Sequence, residues 1–184
     1  MKIIGTTIDD AAGEAFDKSA KILKLEYPGG PLIDKYAKQG KKNAYKFGKP
    51  KVKNLDFSFS GLKTSILYKI NNEVKKNPSF IEENIEDLCA SIQYSIINIL
   101  LEKLEKAIEQ TQIKQIAIAG GVSANSYLRS RLQHLSDEKK YDIYIPKFEY
   151  CTDNAAMIAI AGYYKYIEKK FSNLDEISQA SLKF

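Results

Sequence analysis

Apolar residues along the chain change period several times, and each change predicts an element. In "DDAAGEAFDKSAKILKL", Ala12, Phe16, Ala20 and Leu23 recur at spacings of four, four and three, which puts them on one face of a helix. Asp9 and Asp10 suit its first turn and the lysines its end, as the helix dipole favours. Before it, "IIGTTI" predicts a short strand over residues 3–8. "YPGGP" breaks the helix, and a short helix over 31–39 ends at Gly40. "LDFSFSG" alternates, with Leu55, Phe57 and Phe59 on one strand face. "GLKTSILYKINNEVKK" predicts a helix stopped near Asn77 and Pro78. Over 79–110, Ile81, Ile85, Leu88, Ile92, Ile96, Leu100, Leu104 and Ile108 hold one helical stripe for several turns. Such a stripe is core or a partner-facing surface, not a cofactor site.

The pattern then alternates. "QIAIA" is a short buried strand, "GGVSAN" a turn, and 124–135 a helix. "YDIYIP" is a strand ended by Pro146, and after "FEYCTDN" comes the helix "AAMIAIAGYYKYIEKK". Beyond about residue 170 the signals are weak, so 171–184 reads as a tail. Strand–helix alternation favours an α/β layer with parallel strands. The front half supplies few strands, so the sheet is expected to be incomplete in this chain.

Bulk properties narrow the class. The chain has 184 residues, 44% hydrophobic and 28% charged, enough for one sizeable core. Two distant cysteines, Cys89 and Cys151, give no disulfide framework, and Cys89 on an apolar helix face reads as a buried thiol. The N-terminus has too short an apolar run for a signal peptide, and no segment approaches a membrane span. The expectation is a soluble protein of the cytoplasm. A net charge of +5 is compatible with an RNA partner. The Lys-dense run "KQGKKNAYKFGKPKVK", residues 38–53, is either a solvated loop or a phosphate-backbone contact surface.

Ligands of open α/β sheets sit beyond the carboxyl ends of the strands, where helix starts present free N–H groups. Four turns occupy that kind of position: residues 8–17, "SFSGLKT", "AGGVSAN" and "YCTDNAAM". Gly120 and Gly121 lack Cβ atoms and let a ligand approach the backbone, and Asn125 can donate and accept. A tight core corner explains the same residues. Ser60 is a plausible N-cap beside Gly61, and Thr152, Asp153 and Asn154 are all capping types. An Asp at such a turn is also a common metal-binding carboxylate. Asp17, inside a helix among apolar neighbours, needs a partner, a Lys or backbone group being the plainest. His134 is the only histidine and sits in a polar helix segment, as a surface residue would. No Ser-His-Asp set, zinc-spacing cluster or Walker lysine loop is present in the sequence.

Taken together, "TIDDAAGEAFDKSAKILKLEYPGGP", "DFSFSGLKT", "IAGGVSAN" and "CTDNAAMIAIAG" resemble, in this order, the C-terminal part of the TsaD family, also called Gcp or YgjD-like, in its bacterial and organellar form. The likeness runs from about residue 5 to 162. It implies the second lobe of a two-lobe actin-like ATPase (ASKHA, ribonuclease H-like) fold over residues 1–170, with a helical insertion at about 61–110. It also implies transfer of threonylcarbamoyl from threonylcarbamoyl-adenylate to N6 of the adenosine next to the anticodon of tRNAs reading ANN codons. The implied cofactor is one iron or zinc ion, the ligand a nucleotide of the adenylate or ATP type, and the bacterial partners TsaB and TsaE, with TsaC making the adenylate. The location implied is the cytoplasm or an organellar matrix. Position by position, the resemblance assigns ligand contacts to Asp17, Gly30 and Asn125 and a metal-ligating role to Asp153.

One departure qualifies this. The family's HxxxH motif and "GGHT"-type loop are absent, so the chain resembles a C-terminal fragment from a split gene or truncated copy, expected to be inactive alone and unable to hold the metal tightly. The competing readings are a lobe of another actin-like ATPase such as a sugar kinase, and a non-catalytic scaffold module that dimerises with a working copy.

Overall fold

In the computed structural model residues 2–178 are described. The order of elements is α1 (Ala12–Ile22), α2 (Gly29–Ala37), α3 (Ser60–Lys76), α4 (Phe80–Glu83), α5 (Ile85–Thr111), β1 (Gln115–Ala117), α6 (Ser126–Lys139), β2 (Asp142–Tyr144) and α7 (Ala155–Ile167). The described residues are mostly helical, with one two-stranded sheet.

The helices follow the apolar spacing. Phe16, Ala20 and Leu23 are buried, while Ala12 at the open end of the same face is half-buried. On α5, Leu88, Ile92 and Ile96 are fully buried, together with Cys89 and Ile97 beside them. The long stripe is therefore core, and α5 is the axis against which α2 and α1 pack. Each fully buried Ile or Leu stabilises the fold by about 1.5–3 kcal/mol relative to an exposed one. The stripe is not one helix, because Asn84 divides α4 from α5. Its amide donates to the Phe80 carbonyl at 2.9 Å and accepts from Tyr45 Oη at 2.9 Å, side-chain bonds that compete with the helix ladder.

β1 and β2 are parallel, Ile116 facing Ile143 in register, and α6 makes the crossover between them. The two expected front strands are corrected. Residues 3–8 and "LDFSFSG" make only a single parallel bridge, Thr7 to Phe57. Ile8 donates to the Phe57 carbonyl at 3.0 Å and Phe57 to that of Thr6 at 2.8 Å. Ile3, Ile4 and Ile8 are exposed, and among the described residues no neighbouring strand extends a ladder there. Leu55 and Phe59 are buried as the alternation requires, and the Phe57 and Phe59 rings stack at 6.4 Å.

Every residue of α7 is exposed, although Met157, Ile158, Ile160 and four further large apolar or aromatic residues lie on it. Among the described residues no helix is long and apolar enough to cross a membrane.

Candidate functional site

The turn after β1 is built by backbone geometry. Ile118 still donates to the Tyr144 carbonyl at 3.2 Å, and the chain then reverses through Gly120 at φ +80°, a value that favours glycine. A 3-10 turn, Gly121–Ala124, follows, so α6 begins at Ser126 rather than at 124. A Cβ on Gly120 or Gly121 would meet nothing within 4 Å, so the turn borders open space. That space is a cavity of about 440 Å³ lined by Ala11 and Gly13 at the start of α1, by Leu101, and by Ile118, Gly120 and Gly121. Ser123 Oγ is buried there with no hydrogen-bond partner among the described residues.

Asn125 is the N-cap of α6. Its Oδ1 accepts from Leu128 N at 3.0 Å, and its Nδ2 donates to Gln93 Oε1 at 2.6 Å. Both partners belong to the protein, and both Asn125 and Gln93 are buried. One amide hydrogen of Asn125 remains for any other contact. The start of α6 is further held by Asp34 on α2, which accepts from Ser126 Oγ at 2.7 Å.

Asp17 finds the backbone partner its position demands. Its Oδ1 accepts from Gly29 N at 2.9 Å and Gly30 N at 3.3 Å, the free donors at the start of α2. A side chain at Gly29 would collide with the Ala20 Cβ, so glycine is what lets α2 meet α1 this closely. Gly30 is the second residue of α2 rather than part of a preceding loop.

Two capping expectations are corrected. Ser60 is the first residue of α3, not its cap, and its side chain makes no capping bond. Asp9, expected in the first turn of α1, lies ahead of that helix and caps α3 instead. It accepts from Ser58 Oγ at 2.5 Å, Phe59 N at 2.7 Å and Ser60 N at 3.2 Å. Burial works to raise the Asp9 carboxyl, but the bonds from Ser58, Phe59, Ser60 and Asp10 outweigh it and hold it below its ordinary value. Gly61 faces Pro50, whose ring would lie 3.6 Å from an added Cβ, so this turn is covered by the Lys-rich stretch and not open.

In "CTDN" only Asn154 caps α7, accepting from Met157 N at 3.0 Å. Asp153 is exposed and makes no hydrogen bond among the described residues. No group of three or more His, Cys, Asp or Glu residues comes together among the described residues to hold a metal ion, so a lone Asp153 does not fit a tight iron or zinc site. His134 is exposed and sits 3.2 Å from Glu138.

Sequence reasoning passed over three residues. Gln93 and Asp34 were discoverable as polar positions on otherwise apolar helix faces. Arg129 carried no such signal. Its guanidinium donates to the carbonyls of Ser123 (2.7 Å) and Pro146 (2.6 Å) and to Cys151 Sγ (3.2 Å), over the Phe148 ring. It thus ties the glycine turn to the end of β2 and to the "CTDN" loop. Asp17 and Gly30 are brought together, and Gly120 and Gly121 face the start of α1. Ser60, Gly61 and Asp153 join neither group.

The glycine turn opens on a cavity at the carboxyl end of a parallel βαβ unit, the position at which open α/β sheets commonly take ligands. The family model of TsaD, tRNA N6-adenosine threonylcarbamoyltransferase, matches residues 1–160, and the chain belongs to that family. It is 59% identical over its full length to a tRNA N6-adenosine threonylcarbamoyltransferase of Christiangramia forsetii, of which it covers 54%. It is 58% identical, over 98% of its length and 53% of the relative, to the protein of that name from Riemerella anatipestifer. The Porphyromonas gingivalis protein is 51% identical over 96% of the chain and 52% of its own length. The chain spans about half the length of these relatives.

Proposed function

We propose that this chain is the adenylate-turn half of a tRNA N6-adenosine threonylcarbamoyltransferase, the second lobe of an actin-like ATPase fold. The observation that carries the reading is the likeness, over the whole of this chain and 54% of the relative, to a protein of that name. The open glycine turn supports it, because Gly120 and Gly121 leave room for a nucleotide against the backbone. In this reading the cavity takes the threonylcarbamoyl-adenylate. The backbone of the turn contacts the ligand, and the free amide hydrogen of Asn125 supplies one directed bond. Asp17 acts chiefly by fixing Gly29 and Gly30, and so holds the α2 start as a wall of the site. Transfer forms the bond from the threonylcarbamoyl carbon to adenosine N6, breaks its bond to the adenylate phosphate oxygen and releases a proton from N6. No residue here is assigned to that proton, and no step is routed through a metal. When bound, iron or zinc would neutralise phosphate charge; Asp153 could supply one ligand, and the others would come from residues outside this chain.

TsaB and TsaE are the proposed bacterial partners, and the cytoplasm or an organellar matrix the proposed location. The test is threonylcarbamoyl transfer to unmodified tRNA by the chain mixed with the portion of the Christiangramia forsetii relative that it does not match. Modified adenosine, lost on Gly120→Val, is expected. Transfer unaffected by Gly120→Val would remove the turn from the mechanism.

A further inference from the structure

A second cavity lies on the other side of Asn125. It has a volume of about 590 Å³ and sits between the end of α2, the loop after it, α5 and the first turn of α6. Its lining differs from that of the glycine-turn cavity: three exposed lysines, Lys38, Lys41 and Lys42, surround two half-buried tyrosines, Tyr94 and Tyr127. The tyrosine rings lie 6.2 Å apart and tilted by 52°, forming an angled aromatic wall. Lys42 Nζ stands 5.7 Å from the centre of the Tyr94 ring, so positive charge and aromatic face share one mouth. Lys41 is held in place through its backbone. Lys41 N donates to Asp87 Oδ1 at 2.7 Å, and the Lys41 carbonyl accepts from Ser91 Oγ at 3.3 Å, both partners on α5. None of the three lysine ammonium groups forms an ion pair among the described residues, so their charges are available. No carboxylate lines the cavity among the described residues, and Asp34, beside it at the start of α6, accepts from Ser126.

We infer that this cavity binds one nucleotide of single-stranded RNA, its base against Tyr94 and Tyr127 and its phosphates on Lys38, Lys41 and Lys42. Sequence-specific proteins take unpaired RNA bases in this way, by stacking on aromatic side chains, while lysines neutralise the backbone. The volume suits one nucleoside rather than a duplex. The inference rests on the proposed tRNA substrate, whose target adenosine is in a single-stranded loop. It narrows the Lys-rich run from a diffuse basic surface to its first residues, 38–42.

The experiment titrates a fluorescent unmodified ANN-reading tRNA, and separately a decaadenylate RNA, with the whole chain at several salt concentrations. Tyr94→Leu is expected to weaken both roughly 5- to 150-fold, while Tyr94→Phe keeps the stacking face and binds like the parent. Lys41→Ala with Lys42→Ala, both exposed, should lower the salt slope by about 1.4, and Lys75→Ala with Lys76→Ala should not. Equal affinities for the parent, Tyr94→Leu and the double Lys41/Lys42 variant would overturn the inference, as would no RNA binding by the parent. The two readings fail separately. Pocket-dependent RNA binding without transfer by the supplemented chain retires the enzyme reading alone. Transfer with no dependence of RNA affinity on Tyr94 or the lysines retires the pocket alone.

Discussion

Asp17 shows how a carboxylate with the look of a ligand group also serves the fold through one of its oxygens. Its Oδ1 satisfies two free N–H groups at the start of α2. Asp17→Ala leaves those donors without that partner, and urea unfolding should show a loss of about 1–3 kcal/mol. If stability is unchanged, the bonds to Gly29 and Gly30 contribute nothing. Cys89 makes a second prediction at this scale. Burial among the α5 core pushes its thiol up to about 12, from an ordinary value of 9.0. The raised value means that the folded state favours the neutral thiol. Its contribution is therefore complete below pH 9 and is lost as pH rises through about 12. The native chain should resist iodoacetamide at Cys89 near neutral pH and react only when unfolded. Rapid native labelling at Cys89, read by mass spectrometry, would contradict the burial.

Among elements, the reading of helices from sequence was more faithful than the reading of strands, for a physical reason. A helix closes its own hydrogen bonds, so the spacing of Phe16, Ala20 and Leu23 was enough. A strand needs a neighbour, and "IIGTTI" has one bridge to Phe57 where its pattern called for a ladder. The turns were legible as places but not as wiring. Ser60 has the composition of a cap, yet the oxygen that caps α3 comes from Asp9, about 50 residues earlier, a pairing that only tertiary structure creates. Asp9→Ala should cost about 1 kcal/mol, and the difference from the parent should fade on acidification. The sign follows from its depressed value: the contribution is present above about pH 3.8 and is lost as pH falls through the lower folded value. Arg129 is the corresponding case among the candidate turns, because it joins the glycine turn to the end of β2 through the Ser123 and Pro146 carbonyls and to the "CTDN" loop through Cys151 Sγ. Arg129→Met removes charge-assisted bonds and should destabilise the chain by about 1.5–3 kcal/mol in urea. Amide exchange should quicken around 120–124 and 147–151 together; quickening in only one segment would show that Arg129 does not couple them.

At the scale of the molecule, two facts point the same way. The chain spans about half of its relatives, and α7 carries Ile158, Ile160, Tyr163, Tyr164 and Ile167 with every residue exposed. Packed cores bury such helices, and a single chain seldom leaves so much apolar surface open to water. The bridged front segments and Asp153, the proposed metal ligand, are short of neighbours in the same way. Ile3 and Ile4 lie exposed, and Asp153 stands without a second ligand among the described residues. One experiment connects these deficits: addition of the unmatched portion of the Christiangramia forsetii relative in trans. Alone, the chain is expected to hold far less than one iron or zinc ion after gel filtration and to exchange its α7 amides rapidly. With the added portion, one metal ion per complex should be retained, and α7 should become protected on a timescale like that of α5. Asp153→Ala should abolish the metal and leave the protection of α7 intact, because Asp153 supports no packing in the fold. Tight metal in the chain alone, or an α7 already protected, would show that its described surfaces are complete as they stand.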